Sequence, residues 1–188
     1  MTIDFTHIYW YLSRASAFAA FGLMWLSMVY GLLITSRTAR VWPGGPTAFD
    51  LHQFTSLLGL VFISFHALIL LGDSYIGYTL AQLLVPFAST NYEQAWVGLG
   101  QIGFYILALV SVTFYLRNRM KPGAWWVIHF LSFGGFVLAL VHGIFSGSDS
   151  GTTWATAMYW GAGLSTLALS VYRVAMRRGV VVAAVIAA

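Results

Sequence analysis

Five long apolar runs, near residues 8–35, 48–72, 96–117, 122–146 and 153–175, alternate with shorter segments that carry nearly all the polar and turn-forming residues. Within each run the apolar residues are continuous rather than alternating, which excludes the two-faced strands of a membrane barrel and predicts helices. A helix of roughly 20 residues crosses a hydrocarbon core of about 30 Å, so each run is long enough to span a bilayer. The connecting segments are RTARVWPGGPTAFD, the stretch 73–95, RNRMKPG and SGSDSG, with Pro and Gly at the turns. No linker divides the chain, so residues 1–188 are expected to form one all-α domain, an integral membrane bundle of five transmembrane helices.

Composition supports the membrane assignment: 60% of the residues are hydrophobic and 7% charged, too little polar surface for a soluble chain of 188 residues. The absence of cysteine excludes disulfides, thiolate ligands and iron–sulfur clusters, so a bound metal must use nitrogen or oxygen ligands. The net charge of +4 does not point to nucleic acid, because the nine basic residues are dispersed between apolar runs. They are ordered by side instead. Arg37 and Arg40, then Arg117, Arg119 and Lys121, then Arg173, Arg177 and Arg178 all fall on one face of a five-helix serpentine. Asp4, Asp73, Glu93 and Asp149 fall on the other, with Asp50 the sole acidic residue on the basic face. The positive-inside rule makes the basic face cytoplasmic and puts the N-terminus outside and the C-terminus inside. No Lys or Arg precedes Arg14, so the first run is expected to be a retained span rather than a secretory leader.

Four of the five histidines lie on two of these helices. His52 and His66 are fourteen residues apart on the second, and His129 and His142 are thirteen apart on the fourth, which runs in the same direction. At 1.5 Å per residue these intervals are roughly 21 and 20 Å, so the four imidazoles define two levels within one membrane thickness, one ring from each helix per level. Buried imidazoles are costly in lipid, and facing helices that each present one supply the axial pair of a haem iron. Two stacked haems would form an electron path. Fourteen residues return to within about 40° of the same helix face; thirteen leave the rings about 140° apart, so a kink or local unwinding is expected near Gly134-Gly135. Gly59 and Gly134-Gly135 are expected to let the helices approach between the porphyrins. His7 stands outside the pattern as an interfacial residue.

The histidine pairs in LHQFTSLLGLVFISFH and IHFLSFGGFVLALVHG, the Arg-containing SRASAFAAFGL of the first helix and LGQIGFYILALV of the third carry a likeness to a known family. The chain resembles the ferric reductase-like transmembrane domain shared by metal reductases, NADPH oxidases and the haem membrane subunit of the bacterial methionine sulfoxide reductase system. Many members have six helices, and this chain resembles the last five. The resemblance implies two b-type haems per chain, the inner iron held by His52 and His129 and the outer by His66 and His142. It also places Arg14 beside the outer haem, where a propionate would meet its charge; snorkelling to the interface is the alternative. Oxygen-reducing members often carry a further His where Leu70 stands here, so a metal ion or protein is the expected outer acceptor.

No GxGxxG strand–turn–helix is present, and the chain ends in VVVAAVIAA soon after Arg178. A separate cytoplasmic flavoprotein or other donor is therefore expected to supply electrons, steered by Arg37, Arg40, Arg117, Arg119 and Lys121, which could also neutralise the inner propionates. The chain would be a haem-containing oxidoreductase or electron-transfer subunit of a cell membrane, such as the bacterial inner membrane. The alternatives are a dihaem quinol-linked cytochrome b subunit and a non-redox structural membrane subunit. In the stretch 73–95 a short interfacial helix is expected around 77–86, ended by Pro86, with its tyrosines at headgroup level. Trp96, Trp125, Trp126, Trp154 and Trp160 lie near helix ends, as an aromatic belt predicts, and need no catalytic role.

Overall fold

The computed structural model describes residues 8–90 and 92–186, with side chains described through residue 176. His7 and Asp4 lie outside the described residues, as do the side chains of Arg177 and Arg178. The fold is all-helical: α1 (Ile8–Thr35), α2 (Gly45–Ile69), α3 (Leu80–Leu84), α4 (Gln94–Leu116), α5 (Pro122–Ser146) and α6 (Thr153–Ile186). Short 3₁₀ turns extend α2 through Gly72 and α4 through Arg119. The boundaries follow local chemistry. Pro46 and Pro122 sit in the first turns of α2 and α5, where a missing N–H costs nothing, and Gly147 follows the last residue of α5.

Among the described residues, four helices are long and apolar enough to cross a membrane: Ile8–Thr35, Gly45–Gly72, Gln94–Arg119 and Pro122–Ser146. The fifth predicted run lies inside α6, whose apolar residues are diluted by Thr153, Thr156, Gly161, Gly163, Ser165 and Thr166. Two antiparallel hairpins make up the body: α1 packs along α2, and α4 along α5. α6 leans on α1, where Trp25 donates its indole N–H to Ser165 across 2.9 Å. α2 and α5 have little direct backbone approach and face each other across the space between the hairpins. At mid-depth the core joins α1, α5 and α6 through Phe21, Phe136 and Tyr159, with Phe21 and Phe136 stacked at 5.8 Å between centroids.

The connection between α2 and α4 is more ordered than a headgroup loop requires. Thr79 and Gln82 form a reciprocal capping box at the start of α3. The free carbonyls at its other end are met by α4: Gln101 donates to Gln82 and Leu83, each at 2.8 Å, and Tyr105 donates to Leu84. Satisfying these carbonyls with side chains lets the end of this short helix lie against an apolar one. The expected helix is thus present but shorter than predicted. Of the tyrosines in this stretch Tyr75 is exposed, whereas Tyr78 is buried and accepts a hydrogen bond from Ser89. Tyr92 donates to the Ser146 carbonyl at 2.7 Å, and burial, followed by the Glu93 carboxylate, pushes its phenol up.

Candidate functional site

The four predicted histidines meet as two pairs. The rings of His52 and His129 lie 6.1 Å apart between centroids at 77°, and those of His66 and His142 lie 6.4 Å apart at 67°. Each pair takes one ring from α2 and one from α5, so the space between the hairpins is bridged at two depths.

Three of the rings are fixed by the neighbouring helix. His52 Nδ1 donates to the Ser27 carbonyl at 2.8 Å and His66 Nδ1 to the Ser13 carbonyl at 2.9 Å, both on α1. His142 Nδ1 donates to the Trp96 carbonyl on α4 at 3.0 Å. A carbonyl can only accept, so in each ring Nδ1 carries the hydrogen and Nε2 keeps its lone pair. The hydroxyls of Ser13 and Ser27 also lie 3.1 Å from the same Nδ1 atoms.

Sequence reasoning missed these two serines, although the signal was available. Ser13 and Ser27 are fourteen residues apart, the spacing of His52 and His66, and antiparallel packing of α1 on α2 brings the two intervals into register. Small residues provide the seats. A Cβ on Gly100 would come within 2.7 Å of the His142 ring, and one on Gly31 within 3.3 Å of His52 Cε1. Gly59 and Gly135 each face their own hairpin partner rather than the space between the two histidine levels, and Gly134 meets nothing within 4 Å. A Cβ on Gly59 would meet Leu23 of α1 at 3.5 Å, and one on Gly135 would meet Leu107 of α4 at 2.9 Å.

His129 differs. Its Nδ1 is buried with no hydrogen-bond partner, and its ring stacks on Trp125 at 5.0 Å and 21°. α5 runs unbroken from Pro122 to Ser146, so the local unwinding expected near Gly134-Gly135 is absent. The thirteen-residue interval instead retains its angular offset: His142 turns toward α4 and the Trp96 carbonyl, whereas His129 rests on Trp125 of its own helix. Trp125 thus packs against one of the four histidines, and the backbone of Trp96 anchors another.

Two cavities meet at His52 and His129. The larger has a cavity volume of about 150 Å³ and opens to the outside. Phe114, Trp125, Trp126 and Phe130 line it, together with Arg173 of α6. The five basic residues expected near the inner propionates, Arg37, Arg40, Arg117, Arg119 and Lys121, are not among its lining; Arg117 instead bonds the Phe114 carbonyl at 2.9 Å and covers that ring. The second cavity continues toward mid-depth past Ser56, Ser111, Ser132 and Phe136.

Arg14 adjoins Ser13, whose carbonyl holds His66. Its Nε donates to Asp149 at 2.6 Å, a second nitrogen pairs with the other carboxylate oxygen, and the guanidinium lies 4.0 Å from the Trp10 ring centroid. Its charge is met by a protein carboxylate rather than left to snorkel. Among the described residues, no group of three or more His, Asp or Glu side chains could hold a metal ion.

A family model described as a domain of unknown function (DUF8596) matches residues 8–149. The chain belongs to that family. The match spans α1 to α5, all four paired histidines and the Arg14–Asp149 contact, and leaves α6 outside. No curated protein and no solved structure matches the chain.

Proposed function

We propose that the chain carries electrons across a membrane through two bis-histidine b-type haems, His52 and His129 holding the inner iron and His66 and His142 the outer. The observation that carries this reading is the pair of ring separations, 6.1 and 6.4 Å. Two metal–nitrogen bonds of about 2 Å and two imidazole radii of about 1.1 Å put opposed axial rings roughly 6 Å apart. The Nδ1 contacts support it further, since an axial imidazole commonly donates its second N–H to a carbonyl, which fixes the tautomer and raises ligand basicity.

The donor set fits haem better than a bare ion. Each level has two imidazoles and no third protein ligand among the described residues, so a metal there needs further ligands from elsewhere, which a porphyrin would supply. At the inner level, Arg173 brings a cation to the cavity wall, and the buried Trp125 Nε1 has no hydrogen-bond partner, chemistry that suits a carboxylate such as a propionate. Haem iron would supply one-electron exchange between its ferric and ferrous states. This chain's residues orient the rings, exclude water with aromatic walls, and separate the levels by roughly 21 Å along α2.

The reading includes α6 as a fifth span and the basic face as cytoplasmic. Electrons then enter from a separate flavoprotein or other donor on the basic face and leave to a metal ion or protein outside, the arrangement implied by resemblance to the ferric reductase-like domain. Liposomes holding sealed ferricyanide, with an impermeant reductant outside, test it. Ferricyanide reduction is expected to exceed that of protein-free liposomes and to require all four histidines; a rate equal to the protein-free control contradicts the proposal.

A further inference from the structure

We infer that His129 is a displaceable ligand, so that the inner centre, unlike the outer, takes up a small uncharged ligand from the cavity beside it. This inference rests on the haem reading above. It is carried by a difference within the four rings: three donate Nδ1–H to a backbone carbonyl of the adjoining helix, and His129 does not.

An imidazole with its second nitrogen hydrogen-bonded is held in direction and made a stronger donor to iron. His129 has neither advantage, and a buried N–H left without an acceptor favours any rotation that reaches one. Trp125 is what keeps the ring in place: it is a positioning residue, stacked on the imidazole four positions further along the same helix. The second cavity reaches His129 from mid-depth, apart from the wall that carries Arg173, and is the path for an incoming ligand. Exchange would break the bond between His129 and the iron and form one from the iron to the ligand, both neutral two-electron donors, so no oxidant, reductant or proton would be needed. The outer rings, held by Ser13 and Trp96, resist the same exchange.

Carbon monoxide added to the dithionite-reduced full chain in detergent is the probe, read by its optical difference spectrum. One of the two haems is expected to bind it. Trp125→Ala should tighten binding roughly two- to tenfold, the range set by one aromatic stacking contact, and Trp125→Phe should restore the wild-type affinity. A reduced dihaem protein in which neither haem or both haems bind carbon monoxide overturns the inference and leaves the parent reading standing. An affinity unchanged by Trp125→Ala overturns the assignment to His129. A chain without haem overturns both readings together.

Discussion

At the outer level His66 and His142 are each tied to a backbone carbonyl, one on each hairpin, and the adjoining Arg14 is locked to Asp149. At the inner level His52 is tied to α1 in the same manner, while its partner is held by an aromatic face and stands beside open space. The two levels use the same ligand type at nearly the same ring separation, yet they differ in rigidity. The source of the difference is a single residue of spacing. A fourteen-residue interval keeps both α2 rings on the face that meets α1, whereas thirteen residues turn one α5 ring away from α4.

Removing a ring breaks the comparison most severely. His66→Ala or His142→Ala should each abolish the outer haem and leave one per chain, measured as pyridine haemochrome against protein. Crowding a seat comes next. Gly100→Ala places a Cβ 2.7 Å from the His142 ring, and overpacking of this kind costs about 1–3 kcal/mol, so outer-haem occupancy should fall while the inner haem is retained. Gly31→Ala, with its nearest approach at 3.3 Å, should disturb the inner level less. The smallest effect belongs to Asp149→Asn, which removes the partner of a partly exposed Arg14. Between the limits for exposed and buried pairs, a loss of about 1–2 kcal/mol is expected in thermal or denaturant unfolding, with both haems still bound. Loss of the outer haem in that variant would place Arg14 in the haem site itself.

Much of this architecture is written in the apolar pattern. The spans at 8–35 and 122–146 coincide with α1 and α5, those at 48–72 and 96–117 differ from α2 and α4 by a few residues at the ends, and α6 runs on past 175 to Ile186. The histidine levels were legible for the same reason, because helical rise converts a sequence interval into depth. The anchors were less accessible, since they are backbone carbonyls, which every residue has; only the matching interval of Ser13 and Ser27 marks two of them. Tertiary facts lay beyond reach. The docking of Arg173 at the inner cavity, the stacking of Trp125 on His129 and the pairing of Arg14 with Asp149 depend on how helices far apart in sequence, or side chains of one helix, turn toward each other. An isolated arginine in an apolar helix signals a partner without naming it.

The central claim is that the two imidazole pairs hold iron porphyrin at two depths. Pyridine haemochrome analysis of the purified full chain, expressed with ample haem supply, tests it most directly. Two haems b per chain are predicted, falling to none when His52 and His66 are both replaced by Ala. A colourless protein, or haem content unchanged by that double replacement, would contradict the account.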